Sequence, residues 1–175
     1  TLFPYTTLFR SPDMDSKVFL EIKKKYRGLV NKRRTTLELG EAYDFIETGV
    51  KPELQDYMNG QVLNELEYCL NLYDLEPKVY IAYDRLAYFE KGNDDLRISF
   101  DTNIRTRRSD LLLESGDHGK RLLDSDVWLM EIKTSLAKPL WLCEMLSEFE
   151  IRSSSFSKYG TEYKNMMARQ KEMPK

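Results

Sequence analysis

Several segments of this 175-residue chain alternate between apolar and charged side chains, and that alternation constrains the fold more than any other feature. In an extended strand, successive side chains point to opposite faces. Val18, Leu20 and Ile22 therefore share one face, and Glu21, Lys23 and Lys25 the other. Lys32 and Arg34 share a face, as do Tyr83 and Arg85. Arg97, Ser99 and Asp101 lie opposite Leu96, Ile98 and Phe100, and Glu131 and Lys133 lie opposite Trp128, Met130 and Ile132. Two architectures satisfy this pattern. One is an open antiparallel sheet with its polar face in water, which alternation by itself favours. The other is a barrel turned inside out, apolar outside under helices and charged within. The make-up of the polar faces argues for the second. They are rich in Lys and Arg with a few Glu, where a solvated sheet would carry Thr, Gln and Ser. Cations that face one another repel unless a polyanion lies between them. A few carboxylates among them suit a divalent cation held jointly with phosphate oxygens.

The order of periodicities predicts mixed α and β structure. Residues 18–25 and 29–37 read as two strands of a hairpin turning at Gly28. Residues 38–48 switch to helical spacing, with Leu39, Ala42, Tyr43 and Ile46 as the apolar stripe and Gly49 as a stop. A second helix is expected over 61–73, with Val62, Leu66, Cys69, Leu70 and Tyr73 on one side. Strands follow at 78–90 and 96–101 around the turn KGNDD, then a short one near Asn103–Arg107 and a late one at 127–133. Pro139 opens a helix carrying Leu142, Met145, Leu146 and Phe149. A last helix begins near Ser157 and runs into a polar tail, 166–175.

The net charge of −2 conceals strong segregation. Residues 17–36 hold eight Lys or Arg against Glu21, while residues 37–76 hold ten Asp or Glu against Lys51. Local basicity in an acidic chain points to a confined anionic ligand such as a phosphate compound, not to nucleic acid, whose binders are usually basic overall. The tyrosines mostly fall in helical segments rather than interleaving with the basic strands as a stacking platform for single strands requires. Cys69 and Cys143 stand alone in apolar helical segments and read as small core residues. His118 sits in the turn-rich SGDHGK without Cys or His neighbours and reads as a loop residue. No apolar run reaches the length of a membrane span and no signal peptide is visible, so a cytoplasmic location is expected.

The opening segment TLFPYTTLFRS has a different character. Back-translated with suitable codons it matches a sequencing adaptor, so residues 1–11 are expected to be foreign and the native chain to begin near Pro12 with its own N-terminus missing.

The segments FLEIKKK, VNKRR, YDRLAYF, LRISFD, LMEIK and FSKYG, in that order, resemble the VTC domain of polyphosphate polymerases, a branch of the triphosphate tunnel metalloenzymes or CYTH-like superfamily. The resemblance runs from about Lys17 to Tyr163 and assigns residues 12–165 to that domain. It implies an α+β fold: an antiparallel β tunnel lined by basic residues, with helices packed outside. It also implies ATP as substrate, polyphosphate as the growing product, and a divalent metal, Mn2+ or Mg2+. Carried onto this sequence, Lys23, Lys32 and Arg34 contact phosphates. Arg85 and Arg97 clamp the triphosphate, Tyr83 adds a hydroxyl, and Glu131 is the metal ligand. Lys133 lies on the same face, and Ser157 and Lys158 are phosphate ligands at the start of the last helix. The alternative for Glu131 is an ion pair with Lys133 or Arg97, and Lys24, Lys25, Arg33 and Arg107 read as solvated charges. The family's strands that precede FLEIKKK are absent, so an incomplete tunnel and a fragment of low activity are expected. Two other functions fit the same residues: hydrolysis of triphosphate by a tunnel of this superfamily, and non-catalytic binding of polyphosphate or inositol phosphates.

Overall fold

A computed structural model describes residues 2–5 and 11–172. The chain divides into two compact units, the first of residues 10–78 and the second of residues from 79 onward together with the N-terminal strand at 2–5. In the first, strands β2 (Lys17–Tyr26) and β3 (Leu29–Glu38) form an antiparallel hairpin with Tyr26 opposite Leu29. Its two-residue turn places Arg27 at φ 48° and Gly28 at φ 84°, the positive-φ pair that matches the twist of the flanking strands. Helix α1 (Leu39–Thr48) follows directly. It is started by a reciprocal capping box between Glu38 and Glu41 and ended by Gly49 in the left-handed region. Helix α2 (Gly60–Leu72) starts at Asn59, whose side chain accepts the Val62 N–H at 3.2 Å. The apolar faces of α1 and α2 meet that of the hairpin: Leu37, Ala42, Phe45, Val62, Leu63 and Leu66 are buried, with Val18, Leu20 and Ile22 packed against them. The hairpin's charged face is the side that this core leaves uncovered.

The second unit is a five-stranded sheet. Strand β1 (Leu2–Tyr5) pairs with β4 (Tyr80–Glu90), and β4 pairs with the long β5 (Asn93–Arg107), all antiparallel. The far edge of β5 is shared in succession: β7 (Leu129–Lys133) pairs with residues 97–101 and β6 (Lys120–Arg121) with residues 105–106. Helix α3 (Leu140–Glu148) covers one face, where Leu142 buries against Leu96 and Ile98 with Phe100, Met130, Ile132 and Leu146 around them. Helix α4 (Lys158–Glu172) closes the unit. Strand β1 lies inside the segment expected to be foreign, and its pairing does not bear on origin, because an edge strand's backbone groups accept any sequence.

The fold is α+β with antiparallel sheets, and neither sheet closes on itself among the described residues. No described helix is long and apolar enough to cross a membrane. Several expectations need correction. The short strand near Asn103–Arg107 is not separate; it continues β5 across an irregularity opposite Ala82–Asp84, with Asn103 at φ 49°. Cys143 is exposed rather than a core residue, because α3 turns Leu142 and Leu146 inward and its apolar residues spread over more than one side. Met145 and Phe149 are exposed for the same reason. Phe45, absent from the expected stripe, is fully buried. Arg107 is not a solvated charge: it is buried, and it donates to the carbonyls of Asp110, Leu112, Gly116 and His118 while stacking on Tyr80. It thereby supplies the hydrogen bonds that this turn-rich loop cannot make to itself. His118 is a loop residue as expected, exposed and 3.4 Å from Asp110.

Candidate functional site

The charged face of the second unit is assembled by strand register. Arg85 on β4, Asp101 on β5 and Leu129 on β7 lie abreast. Two residues along are Ala87, Ser99 and Glu131, and two further are Phe89, Arg97 and Lys133. Because side chains repeat every second residue, all of these project from one side of the sheet. Four of the expected site residues, Arg85, Arg97, Glu131 and Lys133, therefore share that side.

Its centre is a residue that sequence reasoning placed on the right face but gave no role. Asp101 is 2% exposed. Arg85 Nε donates to Asp101 Oδ1 at 2.5 Å and Arg85 Nη2 to Oδ2 at 2.7 Å, a fork-to-fork pair. Lys158 Nζ, from the first turn of α4, donates to the same Oδ2 at 2.6 Å. Burial by itself would push the Asp101 carboxyl up, but the hydrogen bonds from Arg85 and Lys158 outweigh it and hold the group below the usual carboxylate range. The hydrogen bond to Asp101 in turn raises the Arg85 guanidinium. The aromatic ring of Tyr83 lies 4.8 Å from the Arg85 guanidinium carbon and 4.4 Å from Lys158 Nζ. The structure thus brings Tyr83, Arg85 and Lys158 together around a carboxylate, with the Tyr83 ring rather than its hydroxyl against the two cations.

Glu131 stands beside this cluster, with one oxygen 3.3 Å from Lys133 Nζ and the other 4.0 Å from Arg85 Nη2. Of the two alternative partners foreseen for it, Lys133 is found and Arg97 is not. Arg97 lies directly across from Lys133, with its guanidinium 5.3 Å from the Phe89 ring and no acidic partner among the described residues. Two cations abreast repel each other unless an anion lies over them. Ser157 precedes α4 and accepts the Gly160 N–H at 3.1 Å, acting as the helix cap. Its hydroxyl hydrogen and the other N–H groups of the first turn are suited to an anion.

The donor set fits a divalent ion only as a shared one. Both oxygens of Asp101 are taken by Arg85 and Lys158, which leaves Glu131, among the described residues, as the carboxylate beside them that is open to a further partner. No group of three His, Cys, Asp or Glu among the described residues could form a site by itself. One carboxylate, completed by phosphate oxygens and water, is the arrangement by which Mg2+ is commonly held.

The first unit carries the remaining expected phosphate ligands. Lys23 faces Lys32 across the hairpin, and Glu21 faces Arg34. Lys32 Nζ pairs with Glu21 at 2.7 Å, and Arg34 stacks on the exposed Phe19 at 4.3 Å. Lys23 is exposed with no ion-pair partner among the described residues. Lys24 and Arg33 point to the opposite side, where both pair with Glu65 of α2, so they are surface ion pairs rather than unpaired solvated charges. The side chain of Lys25 lies outside the described residues.

Against known proteins, the sequence profile of the VTC domain matches residues 8–167. No curated protein matches the chain.

Proposed function

We propose, from the premise that the chain belongs to the VTC domain family, that it acts in polyphosphate synthesis, transferring the terminal phosphoryl group of ATP to a growing polyphosphate chain and releasing ADP. The observation that carries the reading is the shared face of β4, β5, β7 and the start of α4. There Arg85, Arg97, Lys133 and Lys158 outnumber the carboxylates Asp101 and Glu131. A loose phosphoryl-transfer transition state asks a protein for in-line positioning and positive charge around the equatorial oxygens, and for little covalent chemistry. Arg85 uses one edge of its fork on Asp101, and Nη1, which makes no hydrogen bond to a described residue, can take a phosphate oxygen beside Glu131. Lys158 gives one hydrogen to Asp101 and keeps two. Arg97 and Lys133 offer charge to a neighbouring phosphate group, and Lys23, Lys32 and Arg34 present the same chemistry on the hairpin. A divalent ion held by Glu131 and phosphate oxygens would neutralise charge on the transferred group. In this reading the donor is cytoplasmic ATP, and residues 1–11 are foreign, which the uninterrupted gene sequence upstream of Pro12 would check.

The test is incubation with ATP and Mn2+ or Mg2+, followed by sizing of the products. ADP with a ladder of polymer supports the proposal. ADP with orthophosphate alone makes the chain a triphosphate hydrolase. A non-catalytic binding module is the second reading, favoured by the absence, among the described residues, of a group of three acidic or other ligating side chains that could hold a metal ion. Saturable binding of inorganic tripolyphosphate with no ATP consumed, by wild type and Glu131→Gln alike, would establish it.

A further inference from the structure

Asp101 is the most buried charged group of the second unit, and the proposed reaction gives it no contact with substrate. Its two oxygens face inward partners only: Arg85 through Nε and Nη2, and Lys158 through Nζ. The cations are more open than the carboxylate beneath them, with side-chain exposures of 27% for Arg85, 19% for Lys158 and 2% for Asp101. An anion arriving from solvent therefore meets the outer edges of Arg85 and Lys158 without displacing Asp101. A second pair acts on the same side of α4. Glu162, four residues after Lys158, accepts from Arg108 of the segment following β5 at 2.8 and 2.6 Å. Positions four apart lie on one helix face. The helix thus presents a cation to an anion and, one turn later, an anion to a cation. Sliding α4 by one turn would set like charges together, so the two pairs hold a single register.

We infer that Asp101 is a positioning residue, a buried counter-charge that holds Arg85 of the sheet and Lys158 of α4 as one preformed phosphate clamp. The inference rests on the phosphoryl-transfer reading of this face. Preformed donors need no reorganisation when the phosphoryl group is in flight, so the contribution of Asp101 falls on the transfer step more than on substrate affinity. Asp101→Asn separates the two. An asparagine offers one acceptor oxygen where the carboxylate offers two and turns its NH2 against Arg85 alone or against both Arg85 and Lys158, so the clamp loses at least one hydrogen bond and the lysine keeps at most a neutral acceptor. It also removes a negative charge beneath the site, which maintains attraction for polyanions.

The experiment uses the whole chain and two measurements. The first is competitive labelling of lysines with an amine-acylating reagent, read by mass spectrometry, with exposed Lys164 of α4 as internal reference. In the wild type, Lys158 should label about tenfold more slowly than Lys164, because its Nζ is hydrogen-bonded to Asp101 and its side chain is largely covered, and a charge-assisted hydrogen bond must be given up before the amine can react. In Asp101→Asn the ratio should approach one. Equal rates in the wild type overturn the inference whether or not the variant folds. The second is steady-state polymer formation. Asp101→Asn should lower kcat about tenfold or more and change KM for ATP by less than about threefold. A variant with wild-type kcat and a freed Lys158 overturns the positioning role. A wild-type chain that neither turns over ATP nor binds inorganic tripolyphosphate overturns the phosphate reading instead. The labelling result then still decides whether Asp101 holds Lys158.

Discussion

Helices α2 and α4 are of similar length and are docked by different forces. Helix α2 buries Val62, Leu63 and Leu66 against Leu37 and Phe45, and its charged residues stay at the margin. Helix α4 is predominantly polar: of its described residues only Glu162 is buried, and it is tied through Lys158 to Asp101 and through Glu162 to Arg108. Apolar docking is strong, tolerant of small shifts and insensitive to salt. Docking by ion pairs is directional and depends on each partner keeping its charge. A helix that must present a lysine to a ligand at a fixed height gains more from the second kind. The hairpin unit is held by its apolar core, and its basic side chains pair at the surface, as Lys32 does with Glu21 and Arg34 with the Phe19 ring.

Phe45→Ala should be the most damaging change, because Phe45 is fully buried where α1, α2 and the hairpin meet. A loss of about 3–5 kcal/mol is expected, read as a lower urea midpoint of the first unit. Arg108→Ala leaves the buried Glu162 carboxylate without its bidentate partner and should cost about 1–3 kcal/mol. Amide exchange in the first turns of α4 should accelerate while α2 is unchanged. Acid sharpens the contrast further. The Asp101 carboxyl is held down by Arg85 and Lys158, with Glu131 and Tyr83 nearby. Its contribution is therefore complete above the ordinary aspartate value of about 3.9 and is lost as the pH falls through the lower folded value. The apolar contacts of α2 do not titrate, so α4 should exchange faster below about pH 4, before α2 does. The smallest effect belongs to Lys24→Ala. Lys24 is exposed and 3.4 Å from Glu65, and such a pair contributes about 0–1 kcal/mol, within reach of a denaturant titration.

Strands and helices were legible because their signals are local. The alternation of 18–25 and 96–101, the stripe of 38–48, and Gly49 and Pro139 as stop and start each speak through neighbours a few residues away. The site was legible in part for the same reason: Arg97 and Asp101 lie on one face of β5 by period alone. Arg107 escaped because its partners are loop carbonyls and a tyrosine ring, which leave no acidic residue to notice at a regular spacing. Cys143 escaped because α3 is apolar around much of its circumference, and period cannot say which side meets the sheet.

By itself, then, the order of residues determined which segments extend, which coil, and which face of each strand is charged, since backbone periodicity depends only on near neighbours. Tertiary structure alone decided that Asp101 lies beside Arg85 and beneath Lys158. That meeting needs the β4–β5 register and the docking of a helix 57 residues farther along, and a slip of one residue would turn Arg85 to the other face.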